Sequence, residues 1–168
     1  TNALLAQKPT EEITFNGNLD SRATAPTTAP FDATNPETYN FTSTTTVYDS
    51  AGAAHQVTLY FAKDATVANQ YNVTVSIDDV VQPETASLLF DNAGVLDATS
   101  VTALNLASYT PANANAQPIN IDFSTITGYG ATSATSGLTQ DGYAAGQLAG
   151  FEFDRTGVAY ATYTNGET

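Results

Sequence analysis

The sequence predicts an all-β chain, with antiparallel hairpins forming a β-sandwich or barrel-like domain and very little helix. Two observations carry this expectation. First, the same four-residue turn recurs as Asp49-Ser50-Ala51-Gly52, Asp91-Asn92-Ala93-Gly94 and Asp154-Arg155-Thr156-Gly157. An Asp at the first position accepts hydrogen bonds from the turn's own backbone, and a Gly at the last takes φ > 0. That is the chemistry of a type I turn closing a hairpin, often with a bulge. Second, the runs beside these turns alternate apolar and polar residues, and no sustained i, i+3, i+4, i+7 apolar stripe occurs. Only Thr1 to Gln7 and Val101 to Ser108 are left as places for a short turn of helix.

In chain order, Ile13 and Phe15, with Leu19 further on, give a weak period-2 strand. Ala23 to Pro36 reads as an extended connector, because its prolines fix φ and bias their predecessors away from helix. Phe41 to Tyr48 is rich in β-branched and aromatic residues. After the Gly52 turn, His55, Val57, Leu59 and Phe61 share one face while Gln56, Thr58 and Tyr60 share the other, so the two runs predict a half-buried hairpin. Alternation returns in Tyr71-Val73-Val75-Ile77, in Ile119-Ile121-Phe123, and in Phe151-Phe153 leading to Val158-Tyr160-Thr162. Tyr109 to Pro118 and Ser124 to Gly137 read as irregular. The uneven spacing of the turns excludes a solenoid.

The chain has 168 residues, with 17 Asp+Glu against 4 Lys+Arg and a net charge of −13. This charge argues against nucleic acid and anionic lipid as partners, since both demand a basic surface. Only 12% of residues are charged, so Thr, Asn and Ser solvate most of the surface, as on many secreted proteins. With no cysteine, there is neither a disulfide framework nor a thiolate metal site. No apolar run reaches the roughly 18 residues of a membrane span. The absence of Met and the abrupt start at Thr1-Asn2-Ala3 suggest an excised part of a longer protein.

Candidate chemistry is sparse. His55 is the only histidine, and with no second His or Cys to join it, a structural role is expected. Ser50 lies nearby in sequence but in a hairpin turn, not in a Gly-x-Ser-x-Gly elbow. The neighbours Asp78-Asp79 and Glu11-Glu12, placed in strands, point to opposite faces and make no carboxylate dyad. Asp91-Asn92-Ala93-Gly94 lacks the spacing and late Glu of a calcium loop. Gly128-Tyr129-Gly130 lacks the third Gly of a dinucleotide loop. Asn40-Phe41-Thr42 and Asn72-Val73-Thr74 are formal glycosylation sequons of a commonplace kind. The 9 Tyr and 8 Phe most simply supply core and inter-sheet packing, with Tyr39, Tyr48 and Tyr60 as the ones able to stack on a sugar. The expectation is therefore no catalytic residue, metal or cofactor, with Asp49, Gly52, Asp91, Gly94, Asp154 and Gly157 as structural turn residues.

Longer segments carry a resemblance. The run Pro30-Phe31-Asp32-Ala33-Thr34-Asn35-Pro36-Glu37-Thr38-Tyr39-Asn40 precedes Val47-Tyr48-Asp49-Ser50-Ala51-Gly52-Ala53-Ala54-His55 and Leu59-Tyr60-Phe61-Ala62-Lys63. Leu138-Thr139-Gln140-Asp141-Gly142-Tyr143-Ala144-Ala145-Gly146-Gln147-Leu148 follows, then Asp154-Arg155-Thr156-Gly157 and Tyr163-Thr164-Asn165-Gly166. In this order and spacing they resemble the bacterial flagellar hook protein family, while Val80 to Pro118 departs from it.

The resemblance implies a structural, non-enzymatic subunit of the curved, flexible tube that joins motor to filament. It also implies an extracellular address reached through the flagellar export apparatus. The implied partners are other copies of the same protein, the hook cap and the hook–filament junction proteins. The implied division is residues 1–10 as the entering edge of an inner β domain, 11–137 as an outer β domain, and 138–168 as the returning inner segment. The competing reading is an extracellular carbohydrate-binding or adhesin-type β domain.

Overall fold

A computed structural model describes residues 3–168. Its strands are β1 (Leu4–Leu5), β2 (Glu12–Asn18), β3 (Phe41–Tyr48), β4 (Ala54–Lys63), β5 (Gln70–Ile77) and β6 (Val80–Leu89). They continue with β7 (Ala103–Leu106), β8 (Ile119–Asp122), β9 (Ala134–Gln140), β10 (Gly146–Phe153) and β11 (Ala159–Tyr163). Among the described residues helix is limited to one 3-10 turn, Pro36–Thr38, opened by Asn35, whose side chain accepts from the Glu37 amide.

Three sheets result, ordered β3-β4-β5-β6, β7-β8-β2-β9 and β1-β10-β11. The first is an antiparallel meander. The second is mixed, because β2 runs parallel to β8 while pairing antiparallel with β9. The two four-stranded sheets bury a single core between them. The meander contributes Val47, Val57, Leu59, Phe61, Tyr71, Val73, Val75, Ile77 and Leu88, and the mixed sheet contributes Ile13, Phe15, Leu104, Leu106, Ile119 and Ile121. Period-2 alternation is the cause, since in β5 Tyr71, Val73, Val75 and Ile77 turn inward while Asn72 and Thr74 face outward. At the centre, Phe15 sits 5.1 Å from Phe61 and 6.1 Å from Phe123 between ring centroids. Truncating one of these rings costs about 3–5 kcal/mol.

Several expectations change. Val101 to Ser108 holds strand β7, because Leu104 and Leu106 alternate into the core with a period of two. Leu4–Leu5 is likewise strand, paired with β10, while Thr1 and Asn2 lie outside the described residues. The irregular stretch from Ser124 ends early, as β9 begins at Ala134. Asp78 and Asp79 are not strand neighbours. Both take positive φ (49° and 64°) in the two-residue turn between β5 and β6, a left-handed conformation that Asp tolerates better than most residues. The boundary expected at residue 137 falls inside β9, which stays paired with β2 through Gln140.

Candidate functional site

The six turn residues sit in one repeated geometry. In the β3–β4 turn the Gly52 amide donates to Asp49 O at 3.0 Å, and Asp49 Oδ1 accepts from the amides of Ala51 and Ala53 at 2.8 Å. Asp91 Oδ1 takes the amides of Ala93 and Val95, and Asp154 Oδ1 takes those of Thr156 and Val158. Gly52, Gly94 and Gly157 have φ of 83°, 76° and 84°. A fourth copy, Tyr163 to Gly166, has Gly166 at φ 89° and no Asp at its head. Its Asn165-Gly166 pair was the available signal.

Two of these turns lie at strand hairpins, whereas the Asp91 turn joins Phe90 to Leu96 through a single bridge beyond β6. The Asp91 carboxylate oxygen is spent on its own turn. Among the described residues no group of three His, Cys, Asp or Glu is arranged to hold a metal. Tyr39 and Tyr60 pack edge-on with centroids 5.0 Å apart, and Phe31 meets Tyr60 at 5.2 Å, so Tyr60, 9% exposed, is enclosed by its neighbours while Phe31 and Tyr39 stay half-buried.

The most elaborate polar site is the neck where the chain enters and leaves the sandwich. Lys8 and Tyr143 form a two-stranded bridge, exchanging amide–carbonyl bonds of 2.9 Å in both directions. Next to it Thr10, wholly buried, donates its amide to Tyr48 O at 2.8 Å and its hydroxyl to Gln140 Oε1 at 2.6 Å, and accepts the Tyr48 amide at 3.0 Å. Gln117, 5% exposed, donates its amide to Thr10 O and Tyr48 O at 2.7 and 2.9 Å. Gln140 closes the ring on the amide and carbonyl of Gly142.

Only a glycine fits at 142. A Cβ there would lie 2.7 Å from Thr10 N and 2.9 Å from Lys8 O, both backbone atoms. Asp141 adds charge-assisted bonds, with Oδ1 accepting the amides of Glu11 and Glu12 and Oδ2 meeting Lys8 Nζ at 2.9 Å. Burial pushes the Asp141 carboxyl up, but those amides and the Lys8 ammonium more than reverse it, so its pKa is lowered from 3.8. The bonds of Thr10, Asp141 and the Gln117 amino group fix one relative placement of the joined parts, while Gln117 Oε1 is buried without a partner.

The β3–β4 turn leans on this neck. Gln7 donates its side-chain amide to Ser50 O, the Asn115 amide donates to Ser50 Oγ, and a Cβ at Gly52 would lie 3.2 Å from Gln7 Cβ. Behind the turn stands His55, with Nδ1 2.6 Å from Asp78 Oδ2 and Nε2 3.1 Å from Asp49 Oδ2. Burial lowers the histidine's pKa, and the hydrogen bonds and field of Asp78 and Asp49 outweigh it, leaving it above 6.5. The sequence marks His55 as structural but hides its two carboxylates, because Asp49 and Asp78 belong to separate turns 29 residues apart.

Among the described residues no group of three His, Cys, Asp or Glu is placed to hold a metal, and Ser50, in its hairpin turn, bonds Asn115 and not His55. The arrangement has a braced junction and repeated rigid turns, which suit mechanical work. A family model described as the flagellar basal body protein FlaE D2 domain matches residues 18–143. The chain is 31% identical over 170 residues to the flagellar hook protein FlgE of Escherichia coli, covering 99% of this chain and 42% of that relative. It is 32% identical over 171 residues to the Salmonella typhimurium FlgE, covering 98% and 41%. The chain thus spans about two-fifths of the length of these curated relatives. The Helicobacter pylori flagellar hook protein FlgE2 shares the fold, with a TM-score of 0.54 at 15% identity over 75% of this chain and 30% of that one.

Proposed function

The chain belongs to the flagellar hook protein family, and from that premise we propose that it is part of a structural subunit of the extracellular flagellar hook, the curved tube acting as a universal joint. The single observation carrying this is the match of the family's D2 domain over residues 18–143, which embraces most of the sandwich. The role is mechanical and not catalytic.

In this reading the sandwich, residues 11 to about 142, is the outer domain, with its boundary at the close of the neck. Leu4–Leu5, β10 and β11 are an edge of the inner domain. Supporting this, the three-stranded sheet leaves Phe151 and Phe153 65% and 74% exposed, an apolar face suited to burial against further residues of the parent protein. The partners proposed are other copies of the subunit, with the hook cap and hook–filament junction proteins at the ends of the tube. The lack of cysteine suits a subunit exported unfolded through a narrow channel, where a disulfide would obstruct passage.

Polar, weakly held contacts between outer domains suit a joint, because hydroxyl and amide faces exchange partners for water at little net cost. Electron microscopy of the parent protein tests the reading. Short curved tubes are expected, and a protein that stays monomeric under all conditions refutes it. Deleting about residues 11–142 from the parent should leave tubes that are straighter or irregular in curvature. Failure of a folded, exported deletion protein to assemble would show instead that this domain supplies primary assembly contacts.

A further inference from the structure

His55 is held by carboxylates at both ring nitrogens, and this geometry sets its protonation state. A neutral imidazole carries one N–H, so the other nitrogen would present a lone pair to a carboxylate oxygen. With contacts of 2.6 Å to Asp78 Oδ2 and 3.1 Å to Asp49 Oδ2, only the imidazolium donates in both directions. Each carboxylate is in turn committed elsewhere. Asp49 Oδ1 shapes the β3–β4 turn through the amides of Ala51 and Ala53, and Asp78 Oδ1 accepts the Gln56 amide at 2.9 Å.

One cation therefore ties the β3–β4 turn to the β5–β6 turn. The β3–β4 turn also bears on Gln7 and Asn115 through Ser50, and β3 itself meets Thr10 through Tyr48. The titratable groups facing His55 are Asp49 and Asp78 from these two turns and Tyr109 from the β7–β8 connection, whose ring stands edge-on at 6.3 Å. Burial and the two carboxylates hold the Tyr109 hydroxyl protonated, up to about 12, so it leaves the charge balance to the other three.

We propose that Asp49, His55 and Asp78 form a proton-dependent clasp that stiffens the β3–β4 turn against the neck, so that the junction between the sandwich and the three-stranded sheet loosens as the surrounding pH rises. This builds on the structural reading above but does not depend on assembly. The sign follows from linkage. A histidine whose native pKa exceeds its unfolded value stabilises fully below about pH 6.5 and loses that contribution as pH rises through the native pKa. The two carboxylates, depressed in the native state, act in the opposite direction and matter only below about pH 4. The clasp is closed between these limits.

Amide hydrogen exchange on the 168-residue chain from pH 5 to 9 tests it, with the Asp91–Gly94 turn as an internal control of the same geometry and no histidine. Protection at Ala51, Ala53 and Gln56 should be flat to about pH 6.5, then fall by up to tenfold per pH unit until the native pKa is passed, while Ala93 and Val95 stay level. The Lys8 amide, which donates to Tyr143 O at 2.9 Å in the neck, should follow Ala51. Asp78→Asn keeps the turn conformation and the Oδ1 acceptor, and should bring the NMR-measured pKa of His55 down and advance the loss of protection. His55→Gln should remove the pH step and leave the fold intact by circular dichroism. A His55 pKa at or below 6.5, or an equal pH response in both turns, overturns the proposal. Tubes whose assembly does not vary with pH would bear on neither the His55 pKa nor the exchange result, so the clasp and the hook reading fail separately.

Discussion

Two glycines with nearly the same φ, Gly52 and Gly94, sit in different surroundings, and alanine at each separates backbone strain from crowding. Alanine in the left-handed region costs about 1–2 kcal/mol, and the reduced freedom of the unfolded chain returns about 0.4–1 kcal/mol. Gly52→Ala, with φ 83° and Gln7 Cβ at 3.2 Å, should therefore cost about 1 kcal/mol with little added by a neighbour able to shift. Gly94→Ala, with φ 76°, places its Cβ 2.5 Å from Tyr129 Cδ1 and 3.0 Å from Gly128 O. Tyr129 is half exposed and swings aside, but the carbonyl does not, so overpacking adds about 1–3 kcal/mol.

Gly137→Ala in β9 is the control, having no positive φ and only ordinary contacts to Asn16 at 3.5 Å or more, and should stay within about 0.5 kcal/mol of the parent. Urea unfolding of the 168-residue chain reads the series. With an m-value of about 2 kcal/mol/M, the midpoint should drop by about 0.5 M for Gly52→Ala and by about 1–2 M for Gly94→Ala. Equal losses at 52 and 94 would refute the crowding argument, and losses below about 0.3 kcal/mol at both would refute the strain argument.

Gly142→Ala should separate the neck strands, costing about 1–3 kcal/mol and accelerating exchange at the Lys8 and Tyr143 amides before the sandwich core; unchanged exchange at both would show that the close approach is tolerated. Acid should weaken the fold in a defined direction. Arg22 holds Asp20 down to about 2, and hydrogen bonds from Asn72 and from Thr99 and Thr156 depress Asp64, Asp97 and Asp154 below 3.8. The unfolded chain then binds more protons, so stability present above about pH 4 is lost as pH falls toward 2, and a melting temperature that held steady between pH 4 and 2 would contradict this. Finally, with a charge of −13 the isolated chain should sediment as a monomer at low ionic strength, and a stable oligomer there would show strong outer-domain contacts.

The sequence by itself determined the turns and the inward faces of the strands. Asp49 and Gly52 act on each other across three residues, and Tyr71, Val73, Val75 and Ile77 alternate because successive side chains in a strand oppose one another; both are local rules written in adjacent residues. The hook-family resemblance was legible for the same reason, since its segments keep their order and spacing. Val101 to Ser108 and Asp78-Asp79 misled because four residues are too few to separate a short strand from a helical turn, and because a type I′ turn of two aspartates lacks the usual glycine.

Tertiary structure alone decided which strands share a sheet, above all the parallel pairing of β2 with β8 and the closing of β9 on β2. It alone assembled the neck, where Gln117 meets Thr10 across 107 positions and Thr10 meets Gln140 across 130. A buried Thr or Gln is polar in sequence and reads as surface; its partner is chosen only when two sheets pack and its donors are enclosed away from water. His55 between Asp49 and Asp78 follows the same logic, because only the register of β3, β4 and β5 brings two separate turns to opposite sides of one ring.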